Sequence, residues 1–189
     1  QNLGAMDVLC TDKTGTLTQD KIFLARHVDA WGEESGEVLE LAYLNSYYQT
    51  GLKNLLDVAV LEHAEVSREI EPAKNFHQVD EIPFDFTRRR MSVVVAEHDA
   101  SHLLITKGAV EETLTVCTAV RNGETQEPLT PELLTRIRAV TADLNKEGLR
   151  VVAVAAKQGP PTQQVYGLAD ECGLTLIGYV AFLDPPKDS

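Results

Sequence analysis

The sequence predicts an α+β fold, a mostly antiparallel sheet flanked by helices. Three observations carry this. Apolar residues recur at the strand period over residues 79–82, 91–96 and 103–106, the last two stretches joined by a polar turn at 97–101. Helical patterns come as a pair before these strands and singly after them. No regular alternation of strand and helix runs through the chain, as a parallel sheet would require.

In chain order, residues 8–10 read as a short buried strand and 21–27 as a strand or connector. Ser35 is placed to cap a helix, with Glu37 in its first turn, Leu41, Leu44 and Tyr48 on one face and Gly51 at its end. Asn54 and Asp57 have the spacing of a capping box, opening a second helix to about residue 64. Residues 65–74 are polar and read as a loop or a short frayed helix. After the three strands, residues 108–117 read as a helix, and Asn122-Gly123 is a hairpin signal. Thr130 and Pro131 open a long helix with Leu133, Ile137, Val140 and Leu144 as its apolar stripe and Gly148 at its end. Residues 151–156 read as a buried strand, 159–173 as a loop-rich insert, and Leu174–Leu183 as a final long strand.

Composition narrows the function classes. The 189 residues suffice for one core with appendages, and a hydrophobic fraction of 43% is ordinary for a globular chain. A net charge of −12 argues against nucleic acid and anionic lipid as partners, both of which need basic surfaces. It leaves room for ATP, which needs only a local positive cluster. The longest apolar runs are too short or too polar to span a bilayer, and no signal segment opens the chain. Cys10, Cys117 and Cys172 show no metal-ligand spacing and read as small buried hydrophobes in a reducing, cytosolic setting. No Walker A sequence, Gly-x-Gly-x-x-Gly, His-Glu-x-x-His or paired Cys-x-x-Cys is present.

The most specific stretch is Asp12-Lys13-Thr14-Gly15-Thr16-Leu17-Thr18, directly after the apolar run Val8-Leu9-Cys10. Small hydroxyl residues and a glycine let backbone N–H groups approach an anion. A carboxylate at the C-terminal end of a strand can act as a nucleophile towards phosphorus. Taken alone, Asp-x-x-Gly is more often a turn aspartate. The seven residues together resemble the phosphorylation motif of P-type ATPases, ion pumps that form an aspartyl-phosphate. Haloacid-dehalogenase-type phosphatases also start from a strand-borne Asp, but usually carry a second Asp two residues on, where this chain has Thr14.

Three further stretches resemble the nucleotide-binding domain of the same family. The first runs from Glu81 to Val93 and includes Pro83-Phe84-Asp85-Phe86 and Arg88-Arg89-Arg90; the resemblance implies Phe84 on adenine and Arg89 near the phosphates. Read without it, the two phenylalanines could be core and the arginines a solvated strand end. The second, Lys107-Gly108-Ala109-Val110-Glu111, resembles the family's Lys-Gly-Ala-x-Glu. A lysine ending a strand and a glycine entering a helix would set an ammonium beside a positive helix end, suited to an anion or a nucleobase edge. The third, Gly148-Leu149-Arg150 before a buried strand, implies that Arg150 contacts ribose or phosphate. Asp57 matches an acid near the adenine amino group, and is equally a helix-capping residue.

The resemblance spans essentially the whole chain and is greatest for bacterial magnesium-transporting P-type ATPases. It implies phosphorylation-domain edges at residues 1–19 and 183–189, loosely held, around a nucleotide-binding domain at 20–182. It further implies a piece of a multi-pass pump at the cytoplasmic face of the bacterial inner membrane, with the pump's other domains as partners and no direct membrane contact of its own. ATP and Mg²⁺ are the expected cofactors. Asp12 would attack the γ-phosphate in line, Lys13 would offset charge, and Asp12 and Thr14 would ligate the metal. Without the later metal-binding motifs, this stretch is expected to bind ATP without turnover. The same domain of a calcium or proton pump, a stand-alone phosphatase and a pure interaction module are the alternatives.

Overall fold

A computed structural model describes residues 21–51, 53–63, 75–97 and 101–184. The phosphorylation-motif residues Asp12, Lys13 and Thr14, the strand at 8–10, Cys10 and residues 185–189 of the expected C-terminal edge lie outside the described residues. So do 65–74 and most of the 97–101 turn.

The fold is built on β8 (Leu174–Leu183), which is buried along nearly its whole length. One edge of β8 pairs antiparallel with β7 (Arg150–Gly159). The other edge is shared: β1 (Phe23–Asp29) pairs antiparallel with its C-terminal half, and β5 (Cys117–Asn122) pairs parallel with its start. Outward from β7 run β4 (His102–Gly108), β3 (Arg90–Glu97) and β2 (Phe76–Asp85), all antiparallel. β6 (Thr125–Pro128) closes the far edge as a hairpin with β5. The sheet is therefore mostly antiparallel, and helices cover both faces.

On one face lie α1 (Gly36–Tyr48) and α2 (Leu55–Glu62), over Met91, Val93, Val95, Ile105, Val154 and Ile177. On the other lies α4 (Pro131–Lys146), whose Ile137 and Leu144 pack against Leu176, Tyr179 and Ala181. Beside α4 the insert between β7 and β8 lays Tyr166 over Val94 and Leu104. No helix among the described residues is long and apolar enough to cross a membrane.

The caps predicted from sequence form. Ser35 Oγ accepts from the Val38 amide at 3.4 Å, and Thr130 Oγ1 from the Leu133 amide at 3.3 Å. Gly148 ends the α4 segment at φ 81°, the left-handed conformation that favours glycine. Three expectations are corrected. α1 stops at Tyr48, before Gly51, and buries Leu39, Tyr43 and Asn45 as well as Leu41 and Leu44 of the expected stripe, because the sheet and α2 both pack on it. The helix expected over 108–117 shrinks to α3 (Val110–Leu114): Gly108 stays in the β3–β4–β7 ladder and Cys117 enters β5. Cys172 is exposed and Cys117 half-buried, so neither is the deeply buried hydrophobe the sequence suggested.

Candidate functional site

The α1–α2 connection is the first wall of the site. Asn54 Oδ1 accepts from the amides of Leu56 and Asp57, and Asp57 Oδ2 accepts from the Asn54 amide at 3.1 Å, completing the capping box. This holds the Asp57 carboxylate at the first turn of α2, pointing towards the end of β4. There Lys107 Nζ donates to Asp57 Oδ1 and to Ser46 Oγ, both at 2.5 Å. Ser46 Oγ donates to Asp57 Oδ1 at 3.1 Å and Gln49 Nε2 to Oδ2 at 2.9 Å. Asp57 thus caps its helix, as the sequence suggested, and also closes a buried ion pair with Lys107.

The electrostatics follow from this packing. Burial pushes the Asp57 carboxyl up, but the Lys107 charge and hydrogen bond, with the donors from Gln49 and Asn54, more than offset it and hold the group below the usual carboxylate range. Burial draws the Lys107 ammonium below the usual lysine range, opposed by Asp57. The sequence reading of Lys107 as an ammonium poised at a helix end is corrected. The helix that follows is one short turn, and the ammonium is committed to Asp57 and Ser46.

The second wall is the β2–β3 turn. Asp85 Oδ1 accepts from the Thr87 and Arg88 amides, and the Arg89 amide donates to Asp85 O at 2.6 Å. The Arg88 amide, followed by the Thr87 amide and the Arg88 charge, holds the Asp85 carboxyl below the usual range. Arg89 sits at φ 50°, the one non-glycine residue with positive φ among those described. Its backbone carbonyl accepts from the Ala109 amide at 2.9 Å. A side chain at Gly108 would place Cβ 2.3 Å from Arg90 Cβ and 2.7 Å from Arg89 O, so only glycine permits this approach of turn to strand end.

Between the walls lies a cavity of about 880 Å³. Every described site residue expected from sequence lines it: Asp57, Phe84, Arg89, Lys107, Gly108 and Arg150. Phe84 is 52% exposed and Phe86 89%, their rings edge-to-face at 5.3 Å, which excludes the core reading of both. Met91, Val152 and Phe182 make the lining largely apolar. Arg89 Nη1 donates to Glu112 Oε1 at 2.9 Å, and Arg150 Nη2 stands 3.8 Å from Asp184 Oδ2 at the rim.

Among the lining residues not expected as site residues, Phe86 and Glu81 stand out. Phe86, more exposed than Phe84, sits two residues along the same strand end, and the doubled aromatic of Pro83-Phe84-Asp85-Phe86 was its signal. Glu81 accepts from the Thr50 amide at 2.9 Å and from Thr50 Oγ1, tying the α1–α2 connection to β2. Nothing in its local sequence distinguishes it from any acid on a strand. No group of three or more His, Cys, Asp or Glu side chains among the described residues is arranged to hold a metal ion.

The family model of the P-type ATPase cytoplasmic domain N matches residues 32–189. The chain belongs to the P-type ATPase family. Within it, a magnesium-transporting P-type ATPase of Escherichia coli K12 is 57% identical over all 189 residues, and one of Salmonella typhimurium LT2 is 56% identical. A calcium-transporting ATPase of Listeria monocytogenes is 28% identical, again over the whole chain. The chain spans about a fifth of the length of the magnesium-transporting relatives, 21% in each case. In P-type ATPase terms, the cavity between the α1–α2 connection and the β2–β3 turn lies in domain N.

Proposed function

We propose that this chain is the nucleotide-binding part of a magnesium-transporting P-type ATPase, carried at the cytoplasmic face of a bacterial membrane, and that the 880 Å³ cavity takes ATP. The observation that carries this reading is the pairing of two solvent-facing aromatic rings with two rim guanidiniums across one apolar cavity. The volume falls within the range typical of small-molecule sites, about 300–1,000 Å³. An exposed phenylalanine offers a π-face to any base, worth roughly 1–3 kcal/mol where such stacking has been measured. Arg89 and Arg150 supply positive charge where a triphosphate would run, and neither is deeply buried.

The chain's own residues divide the work. Phe84 and Phe86 hold the base by its face. The Asp57–Lys107 pair closes the floor; its carboxylate is saturated by four donors, so it shapes and polarises the cavity and does not move protons. Arg89 must loosen from Glu112 to reach a phosphate, so phosphate binding competes with that ion pair. Mg²⁺ enters with the phosphates as part of the substrate. Asp12, with Lys13 next to it in the chain, would take the γ-phosphoryl group as an aspartyl-phosphate while ADP leaves, and Asp12 and Thr14 would hold the Mg²⁺ that offsets the charge there. Residues 1–19 form the phosphorylation-domain edge and 20–182 the nucleotide-binding domain. Relatives named for magnesium transport, at twice the identity of the calcium relative, favour magnesium as the cargo.

Equilibrium binding of ATP by wild type, Phe84→Ala and Phe86→Ala tests the reading. Saturable binding weakened in at least one variant is the expected result, without steady phosphate release. ATP affinity unchanged in both, or turnover abolished by Asp12→Asn, contradicts it.

A further inference from the structure

The cavity's arginine turn is held from the opposite face of the sheet by a single carboxylate. Glu171 follows the 3₁₀ turn Leu168–Asp170 in the insert between β7 and β8, and its side chain is completely buried. Its Oε2 accepts from Arg88 Nη1 at 2.5 Å and from Arg90 Nε at 3.0 Å, and its Oε1 accepts from Ser92 Oγ at 2.7 Å. Ser92 has one hydroxyl proton, which goes to Glu171. The 2.7 Å contact between Ser92 and Thr106 is therefore donated by Thr106. A relay thus runs from β4 through β3 into the insert.

Strand alternation gives this relay its meaning. Successive side chains on a strand point to opposite faces. Ser92 and Thr106 face Glu171, while their neighbours Met91 and Lys107 line the cavity. In the turn, Arg88 and Arg90 reach back to Glu171, and Arg89 between them lines the cavity. Each flanking arginine is also tied on its own side, Arg88 Nη2 to Pro83 O at 2.7 Å and Arg90 Nη1 to Glu112 O at 3.2 Å. Arg89 itself stands at φ 50°, a conformation that non-glycine residues keep only where their surroundings over-determine it.

We infer that Glu171 is a positioning residue for the nucleotide cavity: by fixing Arg88 and Arg90 behind the sheet it holds Arg89 and the Phe84–Phe86 wall in their binding orientation. This rests on the nucleotide reading above. Neither Glu171 nor any of its hydrogen-bond partners Arg88, Arg90 and Ser92 lines the cavity, so its effect on a ligand passes through the two arginines. Removing its charge leaves Arg88 and Arg90 held only by the Pro83 and Glu112 carbonyls, and so lets Arg89 leave its constrained conformation.

The test is ATP binding by wild type, Glu171→Gln and, as a control, Ile137→Ala, which loosens the core under α4 and does not itself line the cavity. Each variant is first checked for a dispersed amide NMR spectrum. Glu171→Gln should bind ATP about tenfold more weakly, within the range that misplacing a binding group costs. In the ligand-free protein its Phe86 and Arg89 amide resonances should move, and Ile137→Ala should leave both affinity and those resonances unchanged. If Glu171→Gln fails to fold, Arg88→Met carries the test, with weaker ATP binding and the same displaced resonances expected. Wild-type binding that the folded variant retains within about twofold overturns the positioning role alone. Wild type that binds no ATP overturns the nucleotide reading, and the positioning role with it.

Discussion

At the scale of single residues, Asp57 and Lys107 define what the site can do. Each is buried, and each is tolerable only because the other is there. Asp57→Ala leaves an ammonium without its counter-charge and is expected to cost about 3–5 kcal/mol of stability in urea unfolding, whereas Asp57→Ala with Lys107→Met should cost much less. The pair also sets an acid limit. Asp57's ordinary value of 3.8 is lowered in the fold, so the unfolded chain takes up the proton first as pH falls. The stabilisation is complete above about pH 4 and is lost as pH drops through the lower folded value, so the unfolding midpoints of wild type and Asp57→Asn should converge below about pH 4. Phe84 and Phe86 should behave in the opposite way. Their alanine variants should weaken ATP binding by roughly 1–3 kcal/mol for the ring that carries the base, while stability barely changes, because both rings face solvent already.

At the scale of elements, the junction of β4 with the β2–β3 turn matters most. Gly108→Ala puts a methyl 2.3 Å from Arg90 Cβ, so strand and turn must part. The expected loss is about 1–3 kcal/mol by thermal or urea unfolding, with weaker nucleotide binding, because Lys107 and Arg89 sit either side of the clash. This junction also shows how far the sequence could be read. Caps at Ser35, Asn54 and Thr130 were legible because each depends on a side chain and an amide within three residues. The long final strand was legible because it is buried on both faces and reads as one apolar run. The helix expected over 108–117 was not, since Ala109–Leu114 has ordinary helical composition and only long-range pairing, Gly108 to Ala153 and Cys117 to Leu174, cuts it short. The extent of burial of α1 escaped notice for the same reason: its polar-looking Asn45 and Ser46 are inside, bonded to Ile105 O and Asp57.

At the scale of the whole molecule, one cavity gathers residues drawn from positions 49 to 182. Their identities were legible because the stretches that hold them resemble a known family. Their roles towards one another were not, because the pairing of Asp57 with Lys107 and of Glu171 with Arg88 and Arg90 spans 50 to 83 residues of chain. The chain carries a net charge of −12, so an anionic ligand is held by short-range contacts with Phe84, Phe86, Arg89 and Arg150 and gains nothing from the net charge at long range. The central claim is that these residues form one adenine-nucleotide site. Its most direct test is an NMR titration of the isotope-labelled chain with ATP and with AMP. The account predicts saturable shifts clustered at Phe84, Phe86, Lys107 and Arg150 with both nucleotides, with further shifts at Arg89 for ATP. Shifts absent up to millimolar nucleotide, or scattered away from this cavity, would contradict it.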